Sequence, residues 1–322
     1  MTDMTATLGT LTLPNPMLTA SGCAAAGREL HQFFDVAALG AVVTKSIMAR
    51  PRSGRPTPRM AETPSGMLNS IGLQGPGIDS FIENDLAWLA EQGARTVVSI
   101  AGGHTDEFVE LTRKLNGNPA VSMLEVNISC PNVENRGQVF ACDAIASSRV
   151  IRAVRRAADP SVPVFAKLSP DVTDITLIAR ACADAGVDGF SLINTLLGMV
   201  IDTDTMAPAL GGITGGLSGP AIRPVAVRCV WQVKRALPHL PILGMGGIRS
   251  GLDALQFVLA GASAVSVGTA VFGDATAPVR VLAELEAVLE ARGFASLAAA
   301  VGYAHRAPEQ RLVPAAPEAA AG

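Results

Sequence analysis

The chain has 322 residues, 49% of them hydrophobic, and 25 lysines and arginines stand against 28 aspartates and glutamates for a formal net charge of −3. The basic residues are scattered, which leaves no electrostatic footprint for nucleic acid, and no segment approaches the ~20 consecutive apolar residues of a membrane-spanning helix. The start Met1-Thr2-Asp3-Met4 lacks the basic, apolar character of a secretory leader, and Cys23, Cys130, Cys142, Cys182 and Cys229 are odd in number and not closely paired. A cytosolic protein with no disulfide framework and no zinc or iron–sulfur cluster in this chain is therefore expected.

Eight short apolar stretches, each ending in polar or glycine residues, succeed one another along the chain: Asn15 to Gly22, Ala41 to Ser46, Thr96 to Ala101, Leu124 to Ser129, Pro163 to Ser169, Gly189 to Thr195, Ile242 to Gly247 and Ala264 to Thr269. Most lack polar/apolar alternation, the pattern of strands buried on both faces. Helical patterns separate them. Between Thr105 and Leu115, Asp106 and Glu107 fall in the first turn and Phe108, Leu111 and Leu115 face inward. Between Thr173 and Gly186, Ile175, Ile178, Ala179 and Cys182 recur at helical spacing, with Thr173 as cap and Gly186 as stop, which makes Cys182 a core residue. Strands alternating with helices pair in parallel, and eight such units fit a closed (β/α)8 TIM barrel better than an open sheet.

A single barrel domain is expected over residues 1–306, with 307–322, rich in alanine, proline and glutamate, as a disordered tail. Two intervals, Ile47 to Gly77 and Leu196 to Pro220, are too long for plain connections. Both come after strand ends, so both should cover the C-terminal mouth as substrate walls or lids. The histidines His31, His104, His239 and His305 show no ligand spacing and are expected to be solvated.

The residues that close the strands give a chemical inventory of that mouth. Glycines end the seventh and eighth strands, in Gly246-Gly247 and Gly268-Thr269, with Gly216-Leu217-Ser218-Gly219 upstream. Exposed backbone N–H groups there, with a helix N-terminus behind them, suit a phosphate. Lys45 and Lys167 both end apolar strands, where a lysine suits an anionic group or a Schiff base. Asn69, Asn127, Asn132 and Asn194 each offer a donor and an acceptor on one small head, which matches a ring edge that alternates N–H and C=O, as in a pyrimidine dione. In Asn127-Ile128-Ser129-Cys130-Pro131-Asn132 a thiol stands between two carboxamides, and Pro131 cannot continue a strand ladder, so the chain turns out of the sheet at Cys130. A lone cysteine is ordinarily a small buried hydrophobe. Two amides beside it are expensive to bury without a ligand, so Cys130 is the candidate base; no histidine or carboxylate is placed by the pattern to compete with it.

Taken together, Thr44-Lys45-Ser46, Pro58-Arg59, Leu68-Asn69-Ser70-Ile71-Gly72-Leu73-Gln74, Asn127 to Asn132, Asn194-Thr195-Leu196-Leu197-Gly198, Gly215 to Pro220, Gly244-Met245-Gly246-Gly247 and Val267-Gly268-Thr269 resemble the class 1 dihydroorotate dehydrogenases, in order and up to about residue 300. Cysteine at 130 is similar to class 1, since class 2 enzymes carry serine there and an N-terminal membrane-associating extension. The stretches Asn132-Val133 to Phe140 and Asn194 to Met199 look like the NAD-linked 1B catalytic subunit. The resemblance implies FMN held by Ser21, Lys45, Ser46, Asn127, Lys167, Ile193, Gly219, Gly246, Gly247, Gly268 and Thr269. It implies orotate or dihydroorotate held by Lys45, Asn69, Ile71, Gly72, Leu73, Asn127, Asn132, Asn194 and Thr195.

The reaction that the resemblance implies is oxidation of (S)-dihydroorotate to orotate in pyrimidine biosynthesis, with Cys130 as general base at carbon 5 while hydride leaves carbon 6 for the flavin. A thiol, with a reference pKa of ~8.5, is more easily brought to a working pH than an unaided serine hydroxyl. The chain carries no dinucleotide fingerprint and no cysteine cluster, so the analogy also implies a second subunit with FAD and an iron–sulfur centre, around a homodimeric core. Three positions depart from the family: Ser99 stands for a flavin-side asparagine, Arg136 for a lid glycine, and Cys23-Ala24-Ala25-Ala26 for a threonine and an aromatic. Two rival readings are a dihydropyrimidine dehydrogenase-like reductase of uracil or thymine, and a flavin-free phosphate-binding barrel lyase using Lys167.

Overall fold

The computed structural model describes residues 2–129 and 143–307. Eight strands form one parallel sheet: β1 (Met17–Thr19), β2 (Val42–Val43), β3 (Thr96–Ile100), β4 (Val121–Asn127), β5 (Val164–Leu168), β6 (Gly189–Leu192), β7 (Ile242–Met245) and β8 (Ala264–Val267). Nearly every residue in them is buried, as sheets covered on both faces require. Their order around the sheet is β1-β8-β7-β6-β5-β4-β3-β2. The ring closes between β1 and β2 through a parallel bridge from Leu18 to Ala41. There the Thr19 hydroxyl accepts from the Val43 amide at 2.9 Å and donates to the Val43 carbonyl at 3.2 Å, a side chain standing in for the ladder of a two-residue strand. The expected (β/α)8 barrel is the fold observed.

The helices between these strands carry the apolar stripes read from the sequence. Helix α1 is short (Arg28–His31), and α2 runs through Ile78–Ser80, a π-helical segment Phe81–Leu86, and Ala87–Glu91. After them come α3 (Thr105–Leu115), α4 (Ala144–Ala157), α5 (Ile175–Asp184), α6 (Arg223–Ala236), α7 (Gly251–Ala260) and α8 (Ala277–Ala291). In α3, Phe108, Leu111 and Leu115 are buried as expected. In α5 Cys182 is fully buried, but the cap is Asp174, whose carboxylate accepts from the Thr176 amide at 2.9 Å, and not Thr173. Below the barrel the hairpin Ala6–Leu8/Leu11–Leu13 buries Leu8 and Leu13.

The histidine expectation needs correction at two positions. His305 is half-buried, stacked on Trp231 with ring centroids 3.6 Å apart and Nε2 2.9 Å from the Ala260 carbonyl; His31 packs edge-on against Trp88. An imidazole has an apolar face as well as polar atoms, and these two use it. His104 is exposed yet caps α3, its Nδ1 accepting from the Glu107 amide at 3.3 Å.

The two long intervals meet. The hairpin Met60–Thr63/Gly66–Asn69 pairs antiparallel with Gly215–Ser218, which pairs in turn with Leu196–Gly198, giving a four-stranded sheet. Both insertions thus fold as one structure at the end of the barrel where the strands terminate.

Candidate active site

At the C-terminal mouth lies a cavity of about 140 Å³. Of the expected flavin contacts, Ser21, Lys167, Ile193, Gly219, Gly246, Gly247, Gly268 and Thr269 line it, together with Asn194 and Thr195 from the expected substrate set.

One side is built from main chain. Gly247 has φ +77°, and a Cβ there would stand 2.7 Å from the Gly219 carbonyl oxygen and 2.9 Å from Arg223 Cβ, so only glycine fits both the backbone and the space. Among the described residues, none accepts a hydrogen bond from the N–H of Gly247, Ile248 or Thr269. The next amides are already engaged. Asp253 accepts from the amides of Arg249 at 3.0 Å and Ser250 at 3.1 Å, Ser250 caps α7 in return, and Glu284 accepts from Gly251 at 2.7 Å. The amides leading into α7 are therefore engaged by the chain's own carboxylates. The available donors belong to the glycine turn before it. Asp253 also pairs with Arg223 at 2.6 Å, tying the end of this turn to α6. The Thr269 hydroxyl donates to Ser218 Oγ at 2.8 Å, joining the β8 turn to the insertion sheet.

The opposite side is built from side chains. Parallel register sets Ser99 beside Glu125 and Asn127 beside Lys167, and the two-residue period places Glu125 and Asn127 on the same face of β4. Asn127 Nδ2 donates to Ser46 Oγ at 3.0 Å, Ser46 and Ser99 hydroxyls lie 2.9 Å apart, and Ser99 donates to Glu125 Oε1 at 3.0 Å. Lys167 Nζ stands 3.5 Å from that same oxygen. Ser21 Oγ is 3.1 Å from Ser46 Oγ. A Schiff-base role for Lys167 sits poorly with this burial against a carboxylate.

Cys23, at the cavity wall, is pushed up to about 11 by burial, against the opposing pull of the Lys167 and Lys45 charges. It is a neutral thiol at physiological pH.

Ser46 and Asn127 lie beneath the wall, joined to it by hydrogen bonds to Ser21 and from Asn194 through Ser129. Ser99 belongs to the same layer and does not line the cavity. Asn69 donates to the Gly216 carbonyl at 3.3 Å, within the insertion sheet. Ile71, Gly72 and Leu73 pack against the neighbouring loop, where Arg55 N donates to the Ile71 carbonyl at 3.0 Å and Arg52 Nε to the Gly72 carbonyl at 2.9 Å. These four residues do not line this cavity. Cys130, Asn132 and Arg136 lie outside the described residues. Sequence reasoning missed Glu125, reading it as a member of an apolar strand. The available signal was its position two residues before Asn127, which forces both onto one face.

Among the described residues no helix is long and apolar enough to cross a membrane, and no group of three or more His, Cys, Asp or Glu residues is placed to hold a metal. The family model described as "Dihydroorotate dehydrogenase" matches residues 4–289. Relatives include the "Dihydroorotate dehydrogenase B (NAD(+)), catalytic subunit" of Pelobacter propionicus, 50% identical over 300 residues covering 93% of this chain and 98% of that protein. Proteins of the same name from Geobacter sp. strain M21 (47% identity, 93% and 97% covered) and Desulforudis audaxviator (50%, 92% and 95% covered) are also similar. The chain belongs to the dihydroorotate dehydrogenase family, whose members are flavin-dependent.

Proposed function

We propose that this protein is a class 1B catalytic subunit that oxidises (S)-dihydroorotate to orotate with FMN as its resident cofactor. The observation that carries the reading is the cavity's division into the glycine-turn backbone at Gly247, Ile248 and Thr269, whose N–H groups have no acceptor among the described residues, and a lysine–carboxamide face at Lys167 and Asn194 with Asn127 beneath it. The donor turns suit a phosphate.

A bound flavin supplies the hydride acceptor. The chain's own groups do the rest: Lys167 places a cation where negative charge develops, and Lys45 with Asn69 and the Ile71, Gly72 and Leu73 segment receives the substrate carboxylate. Asn127, Asn132, Asn194 and Thr195 match the ring's donors and acceptors, with Ser21, Ser46, Ile193, Gly219, Gly246 and Gly268 completing the cofactor's surroundings. Cys130 takes the proton from carbon 5. Residues 1–306 act as one barrel domain, with 307–322 as its tail. The "catalytic subunit" in the relatives' names supports a partner, which we assign as an FAD and iron–sulfur subunit on a homodimeric, cytoplasmic core.

Anaerobic single-turnover reduction of the bound flavin tests the reading. Dihydroorotate should bleach it rapidly and dihydrouracil should not, and Cys130→Ser should keep the flavin while slowing bleaching by about 10²–10⁴-fold. Preference for dihydrouracil would move the protein to the dihydropyrimidine dehydrogenases, and a colourless protein would exclude a flavoenzyme.

A further inference from the structure

The directions of the hydrogen bonds across the barrel are fixed by two backbone donors and one carboxylate acceptor. The Thr195 amide donates to one head atom of the Asn194 carboxamide at 2.9 Å, so that atom is oxygen and Nδ2 faces Ser129 Oγ at 2.7 Å. The Ser129 amide likewise requires an oxygen on Asn127, at 3.3 Å, and the Ser129 hydroxyl donates to the same Oδ1 at 2.8 Å. Asn127 Nδ2 then donates to Ser46. Because Ser99 spends its single proton on Glu125, Ser46 must donate to Ser99, and Ser21 to Ser46. Every bond from Asn194 down to the barrel floor therefore points the same way, and the series ends on Glu125.

Glu125 is fully buried, and its Oε2 has no partner among the described residues. Its compensation is Lys167, itself 3% exposed and 3.5 Å from Oε1. A carboxylate with half its acceptor capacity idle keeps its charge available to its one cationic neighbour.

We infer that Glu125 is a positioning residue that sets the redox potential of the bound flavin: it neutralises Lys167 from below and anchors the hydroxyl series that runs down from the Asn127 amide. This rests on the flavin reading above. With Glu125 ionised, the Lys167 cation is partly balanced before any electron arrives, which lowers the potential. Without it, an unbalanced Lys167 favours the negative charge that two-electron reduction adds.

Glu125→Gln keeps the shape and removes the charge. After confirming flavin in the wild-type protein, the midpoint potential of the bound flavin should be measured by dye equilibration for wild type, Glu125→Gln, Lys167→Gln and the double variant. Glu125→Gln should move the potential positive by at least about 30 mV, a tenfold change in the two-electron equilibrium. The shift should largely vanish in the Lys167→Gln background, since the effect passes through that ammonium. Glu125→Asp retracts the charge without deleting it and should shift the potential the same way by less. Its potential decides the question if Glu125→Gln does not fold. Flavin-loaded variants with an unaltered potential and only lower stability would overturn the inference, as would a shift undiminished without Lys167. Absence of flavin from the wild-type protein would instead overturn the flavin reading itself.

Discussion

The β2-to-β5 half of the barrel mouth is built from side chains, with Lys167 beside Glu125 and with Ser46, Asn127 and Ser99 in one layer, whereas the turns after β7 and β8 present main chain at Gly247, Ile248 and Thr269. The first half is electrostatic and can be edited atom by atom without moving the backbone. The second half depends on shape, because a glycine with φ +77° whose Cβ position is already occupied tolerates no side chain. On the proposed reading, one half tunes the chemistry and the other retains the cofactor.

Gly247→Val is the harshest way to break that division. It should leave a folded barrel by circular dichroism but little or no copurifying flavin, read from absorbance, since the turn must shift away from Gly219 and Arg223. Full flavin occupancy would mean that the main-chain half does not hold the cofactor. Lys45→Ala acts on the side-chain half and should retain flavin while weakening dihydroorotate by ~1.5–3 kcal/mol, roughly 10–150-fold. An uncharged analogue should lose much less; equal losses for both ligands would remove Lys45 from the carboxylate pocket.

The smallest effect lies away from both halves, in α5. Burial pushes the Cys182 thiol up to about 12 from its ordinary 9.0. The folded form then holds its proton where the unfolded chain releases it, so this contribution is complete below pH 9 and fades as pH rises toward 12. The loss is about 1.4 kcal/mol per pH unit. Cys182→Ala should flatten the fall in stability in denaturant titrations between pH 9 and 10.5. An unchanged slope would show that other groups govern alkaline unfolding.

Each element was legible in the sequence to the extent that it depends on local residues. The barrel strands were readable because burial on both faces makes them continuously apolar. Their ends were drawn too long, as at Asn15 to Gly22 against Met17–Thr19, because the polar and glycine residues that leave the ladder to form the mouth adjoin it without a break. The glycine turns were readable because backbone approach demands glycine locally. Glu125 was not, since its partners Ser99 and Lys167 come from adjacent strands and only register brings them together. The insertion sheet was hidden for the same reason: Asn69 and Gly216 are register partners separated by 147 residues, and no local pattern announces a pairing so distant.

That sheet has a consequence for how such barrels diversify. Gly215–Ser218 is paired on one side to a strand of its own insertion and on the other to Gly66–Asn69 of the earlier one. Transplanting either insertion alone from a relative would leave a row of main-chain donors and acceptors facing a mismatched neighbour. The two insertions therefore form a single unit of inheritance, to be exchanged between homologous scaffolds together or not at all.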